Sequence, residues 1–162
     1  MRYIAILAIF ALVGCSSDDG DNHNHEDEHA NNHENNTTAN NSSSSGVDTY
    51  VDGLMKMGDE GNFHIMLMSA TPAPPDLGEN TWTFRIIDAD DNPINGAKVT
   101  VEPFMPAHGH GTSPAEFTAT FSEDGTYEVG PMDLFMPGVW ETTVRVEGES
   151  TDATKFNFEL EG

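Results

Sequence analysis

Two short segments carry the residues whose types and spacing could do chemistry. The first is Met105-Pro106-Ala107-His108-Gly109-His110-Gly111, directly after an apolar stretch that contains Val99 and Val101. The second is Met132-Asp133-Leu134-Phe135-Met136-Pro137-Gly138-Val139-Trp140. Methionine and histidine together suit copper: thioether is a soft ligand for Cu(I), imidazole accepts either oxidation state, and neither must lose a charge-bearing proton. Met105, His108, His110 and Met136 would form such a set if the two segments meet. Prolines and glycines oppose ladder pairing, so the first segment is expected to project as a loop with its side chains available.

Each of these residues also has a structural reading. Methionine among Phe, Leu and Trp commonly fills gaps in a core, which suits Met66, Met68 and Met132; Met136, beside Phe135, reads either way. His108 and His110 have no apolar face to fill, which favours a metal or polar ligand role. His64 alternates with Ile65 on the face opposite Phe63 and reads as a solvated or cross-strand histidine. Trp82 and Trp140 read as core residues of facing strands.

A further group, His23, His25, His29 and His33, sits among carboxylates in a tract of Asn, Asp and Glu. It is either a loose trap for Cu²⁺, Zn²⁺ or Ni²⁺ or a hydrophilic spacer. Cys15 is the single cysteine, so the folded part has no disulfide and no thiolate metal site. The nucleophile elbow, phosphate loop and zinc-protease motifs are all missing, and an enzyme is not expected.

The elements that must position these residues follow from a period of two. Phe63, Ile65 and Leu67 alternate with His64, Met66 and Met68, and Trp82, Phe84 and Ile86 with Thr81, Thr83 and Arg85. The turn residues Asp88 to Gly96 precede a strand from Lys98 to Glu102. Further strands are expected over Glu116 to Phe121, Thr126 to Val129, Val139 to Val146 and Lys155 to Leu160. About seven short strands without a helical repeat predict an all-β immunoglobulin-like antiparallel sandwich, with a small barrel as the alternative. Residues 53–162, about 110 positions, suffice for one such domain.

Ahead of it the chain changes character. A short basic start and an apolar run from Ile4 to Val13 lead into Gly14-Cys15. The run is too short to span a bilayer, which takes about 20 residues, and fits a secretory signal over residues 1–14. Leu12-Val13-Gly14-Cys15 resembles a bacterial lipobox, which implies lipid on Cys15; the alternative is an ordinary signal peptide ending there. Residues 15–52 have almost no apolar side chain and read as a disordered tether with an r.m.s. span of about 30–35 Å. The formal net charge is −22, and removing the leader would deepen it by one. Nucleic acid is therefore not an expected partner. The expected partners are a membrane, through the lipid on Cys15, and an envelope metal-handling protein. Ser16 after the cysteine points, by resemblance to enterobacterial sorting, to the outer membrane.

Several motifs together resemble the YtkA-like domain, a relative of the FixH-like domains of bacterial envelopes. Met105-Pro106-x-His108-x-His110-Gly111 is followed some 25 residues later by Met136-Pro137-Gly138-x-Trp140. Phe63 to Pro75 matches the family's first strand and Pro-rich segment, Gly78-Glu79-Asn80-Thr81-Trp82 its next strand, and Asp88 to Val99 its turn and strand. The resemblance covers about residues 60 to 161. It implies an extracytoplasmic immunoglobulin-like domain associated with copper binding or oxidase assembly. FixH-like proteins carry an N-terminal transmembrane helix not expected here, which counts against direct oxidase assembly; the lipid tether and His-rich arm instead favour a metal-binding or buffering part in the envelope. A surface interaction module built on the same two loops is the alternative.

Overall fold

A computed structural model of the protein describes residues 46–122 and 125–162. Cys15, the 1–14 leader and the tether histidines His23, His25, His29 and His33 lie outside the described residues. So do Glu123 and Asp124 of the turn at 122–125.

The chain forms β1 (Leu54–Met57), β2 (His64–Thr71), β3 (Gly78–Ile87), β4 (Lys98–Met105), β5 (His110–Gly111), β6 (Phe117–Thr118), β7 (Thr120–Phe121), β8 (Thr126–Leu134), β9 (Gly138–Glu147) and β10 (Thr151–Leu160). One sheet runs in the order β1-β2-β3-β8-β7. The other runs β10-β9-β4-β5, with β6 also paired to β4, and all pairings are antiparallel. This is the expected immunoglobulin-like sandwich. The alternating residues place Ile65, Trp82, Phe84 and Ile86 on the inner face of the first sheet and Val144, Phe156 and Phe158 on that of the second, all buried. Their rings interlock across the gap: Trp82 meets Phe158 edge-on at 5.6 Å, and Phe84 lies 5.7 Å from Phe156.

Outside the His-x-His segment the structure departs from the sequence reading in four places. First, β1 was not anticipated, because the inner-face position that should be apolar holds Lys56. Its ammonium bonds Asp48 and the carbonyl of Lys155, and lies 5.3 Å from the centre of the Phe156 ring.

Second, residues 46–52, read as tether, are tied to the sandwich. The Asp48 amide donates to the Asn157 carbonyl, its carboxylate accepts from the Asn157 amide, and the Tyr50 hydroxyl accepts from the Ala70 amide. Together with Asp59, whose amide donates to the Ala153 carbonyl, this strap covers part of the outer edge of β10, a ten-residue edge strand that would otherwise offer open ladder positions.

Third, the strand expected over 116–121 divides into β6 and β7, which belong to opposite sheets. Fourth, β8 continues past Gly130-Pro131 to Leu134. Asn80 pairs with Met132 and Trp82 with Val129, so two residues of β8 face one of β3 in a bulge. Pro131, without an amide hydrogen, fits there, and Gly130 has φ +138°. A Cβ on Gly130 would sit 2.7 Å from the Asn80 carbonyl oxygen and 2.9 Å from Thr81 Cα. Gly130→Ala is therefore expected to destabilise the domain by about 1–3 kcal/mol. The urea unfolding midpoint measures this, and an unchanged midpoint would mean that the bulge relaxes without cost.

Candidate metal site at one end of the sandwich

The first of the two segments is not the free loop expected from its proline and glycines. β4 runs on through Pro103, which pairs with Thr142 of β9, and Met105 is its last residue. Inward alternation then buries Met105 completely. His110-Gly111 return as β5, with Met105 opposite His110 and Phe104 opposite Gly111. The Met105 carbonyl closes the turn by accepting from the His108 and Gly109 amides at 3.1 and 2.9 Å, with Gly109 at φ +67°. Glycine is required at 111 by close approach, since a Cβ there would meet the Pro103 carbonyl oxygen at 2.5 Å.

Directly opposed residues of an antiparallel pair project to the same face, so His110 points to the same side as Met105. At the rim of the sandwich that side meets the second segment, which the structure reduces to a three-residue link, residues 135–137, between β8 and β9. The His110 ring stacks on Phe135 with centroids 5.5 Å apart and planes 14° from parallel, and Phe135 meets Trp140 edge-on at 5.7 Å. Trp140 donates its indole N–H to the Met136 carbonyl at 2.9 Å, which pins the link. Below it the methyl of Met105 reaches Gly138, where an added Cβ would lie 3.1 Å away.

The four residues singled out for metal binding are thus placed unequally. His108 and His110 are neighbours, with ring centroids 5.7 Å apart; His108 is exposed and His110 half-buried. Met105 lies under His110 as a core residue, not a loop residue. Met136 is half-buried, packs against the core, and follows the residue on which His110 stacks. Two imidazole nitrogens bound to one ion at about 2.0–2.1 Å lie roughly 3–4 Å apart, a spacing that adjacent rings such as these can reach by side-chain rotation. Among the described residues no group of three or more His, Cys, Asp or Glu could hold a metal ion. Beside the two histidines, the thioethers of Met105 and Met136 are the nearest soft donors along the chain. Phe135, 49% exposed, escaped the sequence reading as a site residue; its signal was a large aromatic in a three-residue link.

An all-β sandwich that gathers a His-x-His hairpin and a Met-Pro-Gly link at one end is the class of domain that the fold defines. The family model described as YtkA-like matches residues 59–145, a span that includes both segments, and the chain belongs to the YtkA-like family. Comparison with curated proteins and with solved structures found no match.

Proposed function

We propose that this protein binds copper in a bacterial cell envelope, held to the membrane by lipid on Cys15, and buffers the ion or passes it to an envelope metal-handling partner. The observation that supports the reading is the His108–His110 ring pair, with centroids 5.7 Å apart, on a hairpin whose His110 stacks on Phe135 next to Met136. The donor set favours Cu(I) over Zn²⁺. It offers neutral, soft or borderline ligands without carboxylate or thiolate, whereas zinc sites draw on three or four His, Cys, Asp or Glu ligands. The exposure of His108 leaves one side of such a site open, so that an incoming ligand from a partner could displace it and take the ion by exchange. The His23 to His33 tract would act as a loose collector. Outer-membrane placement follows from Ser16 only where sorting is of the enterobacterial kind.

A Cu(I) competition titration of residues 46–162, which include the strap on β10, tests this. The double variant His108→Ala/His110→Ala is expected to bind one ion fewer than the parent, or to bind it at least about a hundredfold more weakly, ~2.8 kcal/mol. Met136→Leu is expected to weaken the same ion by about tenfold. Equal stoichiometry and affinity in parent and double variant would sink the proposal. The exposed Phe135 and Phe104 at this rim, 49% and 37% accessible, would then favour a protein-docking surface.

A further inference from the structure

The outer face of the first sheet carries a second set of soft donors, far along the chain from the His-x-His hairpin. In the β1–β2 pair Met55 is opposite Met66 and Met57 is opposite His64. Leu54, opposite Leu67, points into the core, so these two outward pairs share one face. Residues two apart on a strand also share a face, so the four side chains occupy the corners of one rectangle. Opposed Cβ atoms in such a pair lie about 4.5–5.5 Å apart. Two sulfurs bound to one ion at about 2.3 Å lie roughly 4 Å apart, and long unbranched methionine side chains can close the difference.

Two observations separate this patch from ordinary strand surface. Met57 is 58% exposed, the most exposed of the large hydrophobic side chains among the described residues. His64 is half-buried, and its Nδ1 is enclosed without a hydrogen-bond partner among the described residues. A buried ring nitrogen without a hydrogen-bond partner carries a desolvation cost, which a bound cation would offset.

We propose that Met55, Met57, His64 and Met66 form a second site for a monovalent soft cation, Cu(I) or Ag(I), on the outer face of the first sheet. Three thioethers and one imidazole are all neutral donors, and thioether selects Cu(I) over Zn²⁺. Arg85, opposite Met66 on β3, adds a positive charge to the same face. Coulomb repulsion scales with the charge of the ion, so Arg85 opposes a divalent cation twice as strongly as a monovalent one.

The test is Ag(I) titration of the full chain carrying methionine labelled with ¹³C at the methyl, followed by NMR. The Met55, Met57 and Met66 methyl signals are expected to shift, while the signal of Met132, fully buried in the core, stays in place and reports the intact fold. The same shifts are expected in His108→Ala/His110→Ala, which separates this site from the one at the sandwich end. Met55→Leu/Met66→Leu is expected to weaken the remaining Met57 response by about tenfold or more, as loss of donors requires. Zn²⁺ should leave all three signals unmoved. Unmoved Met55, Met57 and Met66 signals through a several-fold excess of Ag(I) over all other thiol and imidazole groups would overturn the proposal. So would shifts that vanish in His108→Ala/His110→Ala.

Discussion

Replacing Asp152 with alanine is expected to destabilise the domain by about 3–5 kcal/mol, because it leaves four backbone amides without their acceptor. Asp152 is 2% exposed at the start of β10. Its Oδ1 accepts from the amides of Glu60 and Ala153 at 2.9 and 2.8 Å, and its Oδ2 from those of Asn62 and Phe63 at 2.8 and 3.2 Å. One carboxylate therefore organises the whole turn between β1 and β2 and fastens it to the opposite sheet. Gly58 lies so close that a Cβ there would overlap the carboxyl group.

Burial by itself would raise the Asp152 pKa, but the four amide donors outweigh it and hold the value below the ordinary one. Folding thus favours the anion. The stability it contributes is fully present above the unfolded value, about 3.9, and is lost as pH falls through the lowered folded value. Urea midpoints of the parent and of Asp152→Asn, measured from neutral pH down into this acid range, should converge as the parent carboxylate protonates. Parallel curves would show that the carboxylate charge is not what holds the turn.

Trp140→Ala is expected to cost a similar amount, about 3–5 kcal/mol, for a different reason. The side chain is 1% exposed on β9. Its removal opens a cavity at the end of the core and frees the Met136 carbonyl and the edge on which Phe135 rests. Trp140→Phe separates these effects. It keeps most of the packed volume and loses the indole N–H, so stability should fall by only about 1 kcal/mol. If the 135–137 link presents Met136 to copper, Cu(I) affinity should still drop in Trp140→Phe, because the link is no longer pinned. A variant that lost stability and kept full affinity would show that the indole supports the core alone. Thermal or urea unfolding together with the Cu(I) competition titration reads both quantities.

Much of the scaffold was legible along the chain. Period-two alternation marked β2, β3, β9 and β10, because each buries one face against the other sheet and the cost of desolvating polar side chains keeps them off that face. The same logic failed where the inner position holds a charge. Lys56 is inward on β1 because Asp48 and the Lys155 carbonyl, far apart in sequence, converge on its ammonium. Pro103 and Pro131 lie just past the strand ends expected at Glu102 and Val129, yet one sits within β4 and the other at a bulge of β8, since a missing amide costs nothing where no ladder partner requires it. Asp152 gave no signal at all. It is an acid in a turn-rich stretch, and only the fold encloses it among four amides.

For the candidate sites the division is similar. His108 and His110 are neighbours by their spacing, and Met66 follows His64 on one strand face by alternation, so spacing and periodicity determined these local pairings along with the sandwich class, and resemblance of motifs pointed to the family. Tertiary structure decided that Met105 is buried beneath His110, that Phe135 stacks on that ring, and that β1 brings Met55 and Met57 opposite Met66 and His64. Local periodicity reports which side of a strand a residue takes, because that depends on backbone geometry alone. Which strand lies beside it depends on burial and hydrogen bonding summed over the whole chain.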